Sequence, residues 1–182
     1  MRVITGSARG TRLVTPEGVH TRPTIERVKE ALFSSIQFEV AGRNVLDLFA
    51  GSGQLGIEAM SRGALFCDFV DNDPAAIKTI EENIRRCSFE DCTRVFNRSY
   101  ASHLTHTDKM YDLVFLDPPH HRGLVVRAMR TLADKCLAHN AIVVCETAAD
   151  EVLLDTIGGM TREREKLYTR TRVTVFRFSS GQ

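Results

Sequence analysis

Four groups of residues in this 182-residue chain could do chemistry. The first is the glycine-spaced turn Gly51-Ser52-Gly53-Gln54-Leu55-Gly56. Glycines at such a turn can take positive φ and keep a Cβ out of a ligand's way. Amides that open a following helix point at that ligand. The second is Asp71, 20 residues after Gly51. An acidic side chain at that distance can accept both hydroxyls of a ribose. The third is Asp47, a carboxylate inside an otherwise apolar run, which is costly unless hydrogen-bonded. It can order the glycine turn or face a cation. The fourth is Asp117-Pro118-Pro119-His120. Two prolines end a strand and hold their carbonyls rigidly. The result is a ledge of one carboxylate, one fixed carbonyl and a flat side chain. It suits an exocyclic amino group on a heterocycle: accepting its two N–H bonds turns the lone pair toward an electrophile, while the flat side chain stacks on a flipped base.

These residues need a scaffold that brings them to one edge. Asn44–Phe49, Leu65–Val70, Arg94–Asn97, Tyr111–Leu116 and Ala141–Glu146 read as five short apolar strands. Helical spacing covers Thr24–Phe38, with Thr24 as N-cap, then the segment from the glycine turn to Arg62, then Ala75–Arg86 and Leu124–Leu137. Glu151–Ile157 is expected to add one more helix. Alternation of this kind gives a parallel sheet with helices on both faces, and ligands bind beyond the carboxyl ends of its strands. All four groups fall at such ends. Residues 1–15 read as a small hairpin turning at Gly6–Gly10, and Thr161–Phe178 alternates like a second hairpin.

Composition bounds the rest. The chain is 43% hydrophobic and 26% charged, ordinary for a folded domain. It has no apolar run of membrane-spanning length and no secretory leader at Met1–Gly6. Five scattered cysteines without a C-x-x-C pair read as reduced thiols in a cytoplasmic protein, neither a disulfide frame nor a metal site. Of the histidines, His20, His103, His106 and His139 show no ligand spacing and are expected at the surface. Net charge is +1, yet residues 1–29 carry six cations against two carboxylates, and residues 162–178 do the same. Two basic ends on an acidic body suggest a polyanion footprint where they meet.

Asp71 does not separate NAD from S-adenosylmethionine, since both contain an adenosine ribose. Asp47 favours a cationic cofactor without phosphate, because a pyrophosphate would be repelled. The alternatives that stay open are methylation of adenine N6 in DNA or RNA, a catalytically silent cofactor- or RNA-binding protein and, least favoured, a nicotinamide dehydrogenase, which leaves the Asp117 ledge unexplained.

The chain resembles the class I S-adenosylmethionine-dependent methyltransferases and, more closely, the RsmD family, which methylates guanine N2 in 16S ribosomal RNA. The residues that carry this are Arg2-Val3-Ile4-Thr5-Gly6 with Gly10-x-x-Leu13, Thr21-Arg22-Pro23-Thr24 with Arg27 to Phe33, Val45 to Ala59, and Asp117-Pro118-Pro119. The resemblance implies a Rossmann-like seven-stranded sheet ending in an antiparallel hairpin, with residues 1–20 as an N-terminal extension and 21–182 as the methyltransferase domain. It implies a cofactor site of Arg22, Thr24, Asp47, Phe49, Ala50, Gly51, Ser52, Gly53, Asp71, Asn72, Ser99 and Asp117. Asp117, Pro118, Pro119 and His120 become the catalytic ledge, and Arg2, Arg9, Arg12 and Arg122 contacts to RNA. The expected partner is 16S ribosomal RNA within the 30S subunit or an assembly intermediate, met by a monomer without metal or membrane. Two positions depart from the family. His120 stands where Tyr or Phe is usual, and Ser99 where class I enzymes often carry Asp for the adenine amino group, a role that Asn97 or the backbone could take.

Overall fold

The computed structural model describes residues 1–15 and 23–179, with the side chains of residues 23–25 outside that description. Helix α1 (Pro23–Ser35) precedes β1 (Asn44–Asp47), α2 (Gln54–Ser61), β2 (Phe66–Asp71), α3 (Pro74–Cys87), β3 (Thr93–Asn97), α4 (Tyr100–His106), β4 (Tyr111–Leu116), α5 (Leu124–Lys135) and β5 (Leu137–Ala148). Strands β6 (Thr156–Ile157), β7 (Met160–Leu167) and β8 (Thr171–Phe178) complete one eight-stranded sheet, ordered β3-β2-β1-β4-β5-β8-β7-β6. The first five strands are mutually parallel, and β8 joins β5 antiparallel. Chain order reverses between β1 and β4, so the crevice of this fold opens beyond Asp47 and Leu116.

Strict alternation along the strands explains burial on both faces. Val45, Phe69, Leu113, Phe115 and Val144 meet α1, α2 and α3 through residues such as Leu32, Phe33, Ile57 and Ile80. Leu46, Val70, Val114, Leu116 and Val143 meet α4 and α5 through Leu104, Val125, Met129 and Leu132. Side chains two apart share a face. Asp117 and Glu146 therefore lie on the α1–α2 side, each two residues beyond a core position, Phe115 and Val144.

Several boundaries differ from the sequence reading. Helix α1 begins at Pro23, which needs no amide partner in a first turn, so Thr24 sits inside the helix rather than capping it. The helix expected over residues 151–157 is absent, and β6 takes its end. Gly158 and Gly159 have φ of 55° and 75°, the backbone of a two-residue hairpin, and they join Ile157 to its partner Met160. This pairing adds the eighth strand to the expected seven. Helix α4 was not foreseen; Ser99 caps it by accepting from the Ser102 amide at 3.2 Å. Among the described residues no helix is long and apolar enough to cross a membrane. All five cysteines are free thiols.

The N-terminal hairpin closes on one bridge, Arg2 with Arg12. Its other anchors come from α1, α2 and α3, chiefly from α2. The buried Glu58 carboxylate accepts from the Ile4 amide at 2.8 Å, the Thr5 amide at 3.1 Å and Arg62 Nε at 2.9 Å. Buried Lys29 stands 3.5 Å from Glu58 and donates to the Arg2 carbonyl at 2.8 Å. Desolvation lowers the Lys29 pKa, and Glu58 partly restores it. Ser61 Oγ accepts from the Ala8 amide and donates to the Thr5 carbonyl. Removing one partner of a buried pair strands the other's charge. Glu58→Ala should therefore cost about 3–5 kcal/mol in urea unfolding and release residues 1–13 to rapid amide exchange. A loss under about 1 kcal/mol, or unchanged exchange, would refute this anchoring.

Candidate functional site

Two carboxylates shape the glycine turn. Asp47, at the end of β1, is buried and accepts from the Gly56 amide at 2.9 Å. Asp71, at the end of β2, accepts from the Gly51 amide at 2.8 Å and from the Asp73 amide at 2.9 Å. Ala50 N–H reaches back to the Val70 carbonyl at 3.0 Å. The turn is thus tied to both neighbouring strands. Gly51 and Gly53 hold φ of 55° and 75°. A Cβ on Gly51 would meet nothing within 4 Å, because that position faces open space. A Cβ on Gly56 would lie 2.3 Å from the Phe69 ring, so this glycine serves the contact of α2 with the sheet instead. Asn83 on α3 donates to the Ser52 carbonyl and to the Val14 carbonyl, both at 2.9 Å, and so links the turn to the N-terminal segment.

The ledge faces this turn. Phe49, Gly51, Asp71, Asn72, Asp117, Pro118, Pro119 and His120 line one cleft of about 420 Å³. A second cleft of about 380 Å³ shares Phe49, Asp71, Asn72 and Pro119 with it. It continues past Ser99, Tyr100, Arg98, Arg122 and Arg127. Phe49 and Tyr100 pack with ring centroids 5.3 Å apart on its wall. The two clefts form an elongated groove along the carboxyl edge. It offers one aromatic wall, Asp71 shared by both clefts, and open space above Gly51, features that an adenosine-containing ligand can use.

Charge in the groove is unevenly placed. Desolvation pushes the Asp47 carboxyl up to about 7, against which the Gly56 amide acts. Desolvation also holds Asp117 well above the ordinary carboxylate range, with the charges of Glu146 and Asp47 adding to it. Leu116 pairs with Cys145, so Asp117 and Glu146 are the next residues on adjacent parallel strands. Burial raises Glu146 too, opposed by a hydrogen bond from Thr171. Glu146, Thr171, Lys29 and Gln54 line a small cavity of about 40 Å³, and among the described residues the buried Gln54 Oε1 atom has no donor. Of the three desolvated carboxyls Asp117 lines the groove itself, with Asp47 and Glu146 behind it on the α1–α2 side.

The remaining expected residues are distributed as follows. Arg22 lies outside the described residues, as does the side chain of Thr24. Ser99 Oγ caps α4 while its residue lines the groove. Asn97 donates to the Asp71 carbonyl at 3.3 Å. Arg2 and Arg9 line a separate hollow with Glu26 and Glu30. Arg12 is exposed, as is Arg122 at the mouth of the second cleft. The basic run at 162–178 is partly neutralised. Arg172 and Arg177 on β8 meet Glu165 and Glu163 on the facing β7, Arg162 pairs with Asp155 and Glu165, and Arg177 also reaches Glu39. His103 is also not at the surface: it is buried against Phe96 with ring centroids 4.8 Å apart, reaches Tyr111 Oη at 3.2 Å, and burial lowers its pKa to about 4. His20 lies outside the described residues. Sequence reasoning missed Glu146, Arg98 and Arg127. Glu146 closes an apolar strand as Asp71 does, which was the available signal.

Asp47 also makes stability pH-dependent. Its pKa is about 7 in the folded chain against an ordinary 3.8. Between those values the folded state holds a proton that the unfolded chain releases, so stability falls as pH rises through that window. The slope is at most about 1.4 kcal/mol per pH unit. Asp47→Asn keeps an acceptor for Gly56 and removes the charge. Urea unfolding from pH 5 to 8 should show a shallower decline in the variant. Equal slopes would contradict an ionising Asp47.

The chain is similar to known proteins over nearly its whole length. The family model described as conserved hypothetical protein 95 matches residues 1–177. The Bacillus subtilis protein YlbH is 37% identical over 97% of this chain and 98% of its own length. Ribosomal RNA small subunit methyltransferase D of Escherichia coli strain K12 is 33% identical over 92% of this chain and 84% of its own. The solved structure of Escherichia coli yhhF superposes with a TM-score of 0.90 at 31% identity, covering 100% of this chain and 99% of that one. The chain belongs to the conserved hypothetical protein 95 family, the RsmD family of methyltransferases.

Proposed function

We propose that the chain transfers a methyl group from S-adenosylmethionine to the exocyclic N2 of a guanine in 16S ribosomal RNA, as a cytoplasmic monomer acting on the small subunit or its assembly intermediate. The observation that carries this is the shared cleft in which the glycine turn faces Asp117-Pro118-Pro119-His120. The name of the Escherichia coli relative supports ribosomal RNA of the small subunit as substrate.

S-adenosylmethionine, when bound, supplies an electrophilic sulfonium methyl. Asp71, Phe49, Asn72 and Ser99 would hold its adenosine end; Asp47 and the Gly51–Gly53 backbone its cationic end. Asp117 and the Pro118 carbonyl accept the two N–H bonds of guanine N2, which turns its lone pair toward the methyl carbon. In the transfer so supported, that lone pair would form the C–N bond, and the electrons of the broken S–C bond would stay with the leaving sulfide. Asp117 then accepts the proton that the alkylated, cationic nitrogen loses. His120 stacks on the base. Positioning and exclusion of water supply most of the rate. Glu146 beside Asp117 raises the affinity of that carboxyl for a proton.

The decisive assay is tritiated methyl incorporation into unmethylated 30S particles. Asp117→Ala should lower the rate by ~10²-fold or more, as a misplaced reacting group does; equal incorporation would sink the assignment. Chromatography of the digested product should show N2-methylguanosine. N6-methyladenosine would establish the adenine alternative, and cofactor binding without transfer the silent one. Asp117 must be ionised to accept both a hydrogen bond and a proton, and its pKa is raised. Activity should therefore fall on acidification while ordinary carboxylates are still ionised. Glu146→Gln should move that limb to lower pH. A limb left in place would exclude coupling between the two groups.

A further inference from the structure

We propose that Arg98, Arg122 and Arg127 form a phosphate-binding rim on which single-stranded RNA is held beside the target nucleotide. The proposal rests on the methyltransferase reading for the choice of RNA, but the rim itself is read from geometry. The three arginines come from different places in the chain: the turn after β3, the turn before α5, and the first turn of α5 itself. The fold brings them to one cleft of about 380 Å³. That cleft shares Phe49, Asp71, Asn72 and Pro119 with the cleft of the ledge, so it adjoins the place where the base would lie.

None of the three makes an ion pair among the described residues. In the C-terminal hairpin Arg162, Arg172 and Arg177 are each paired with carboxylates, so that stretch offers fewer free cations than its sequence suggests. The rim arginines are instead pre-positioned by neutral groups. The Arg98 guanidinium lies 4.4 Å from the Phe96 ring centroid. Arg127 donates to the Arg122 and Gly123 carbonyls. Arg122 is exposed at the cleft mouth. Among the described residues Asp71 is the one carboxylate of this cleft, and both its oxygens already accept backbone amides.

A cofactor without phosphate offers these guanidinium groups no anion. A polynucleotide crossing the ledge does. Arginine forks match phosphate geometry, and such contacts position a strand without reading its sequence. The rim therefore sets the register of the RNA backbone, and the ledge selects the amino group.

Counterion release makes the idea measurable. For single strands, log K falls with log salt at about 0.7 per neutralised phosphate. Binding of a fluorescent single-stranded RNA should be titrated from 50 to 300 mM salt (working values of order 0.1 M,) with full-length protein. Arg98→Gln, Arg122→Gln and Arg127→Gln each keep hydrogen-bond donors and lose the charge. The triple variant should bind RNA more weakly at every sequence tested and lose about 2 from the salt slope. The control Arg162→Gln should leave the slope unchanged. Because the same cleft holds the residues assigned to the adenosine end, the RNA titrations are run with each protein saturated by S-adenosylhomocysteine, and the loss of slope should persist. An unchanged slope overturns the rim. So does a loss of RNA binding that only follows a loss of cofactor affinity, or a greater charge dependence for anionic vesicles or for NADP than for RNA. Failure of methyl transfer with the arginine-dependent slope intact would overturn the catalytic reading and leave the rim standing.

Discussion

Asp47 and Asp71 each give carboxylate oxygens to the amides of the glycine turn, and the site follows from that. Neither β1 nor β2 could position the turn alone. Asp47 reaches past it to Gly56 on α2, while Asp71 grips Gly51 at its start. A buried carboxylate is tolerated only when hydrogen-bonded, so the turn and the strand ends stabilise one another. Among the described residues this leaves Asp47 with an amide partner and no counter-charge. Burial then holds its proton affinity high.

The N-terminal segment is held by the same kind of bond. Glu58 is a buried anion on α2 whose partners are the amides of residues 4 and 5, the Arg62 side chain and Lys29 of α1. Helix α2 thus carries the glycine turn at its start and the N-terminal anchor on its body. Asn83 ties Val14 to Ser52 through its own amide. Displacing residues 1–15 would therefore disturb the turn through α2 and α3, although no atom of the hairpin lines the groove.

The parts of the site that were legible in the sequence are local in chain. Gly51–Gly56 and Asp117–His120 declare their backbone geometry through glycine and proline, whatever surrounds them. The β/α alternation placed them at one sheet edge before any contact was known. What could not be read was set by pairing across the sheet. Glu146 acquires its meaning only when Leu116 pairs with Cys145 and puts it beside Asp117. The basic run at 162–178 looked like a polyanion surface because one-dimensional counting ignores the facing strand. Once β7 lies against β8, Arg172 meets Glu165 and Arg177 meets Glu163. Gly158-Gly159 was the local signal for β6, and it was outweighed by the helical spacing of the residues before it. His103 was misplaced for the converse reason: α4 is too short for its buried face to show as a period.

Charge is sorted across the groove in a way that suits two ligands of opposite sign. Desolvated carboxyls, Asp47, Asp117 and Glu146, gather on the side covered by α1 and α2. Arginines without ion pairs, Arg98, Arg122 and Arg127, gather toward α4 and α5. A cationic donor at the first side lowers the proton affinity of Asp47 and Asp117 by Coulomb attraction. It thereby readies Asp117 to accept an amino group. A polyanion at the second side is kept from those same carboxylates by repulsion, so its backbone cannot settle on the floor. A neutral base meets neither this attraction nor this repulsion, and the ledge at Asp117–His120 lies where the two clefts meet at Pro119.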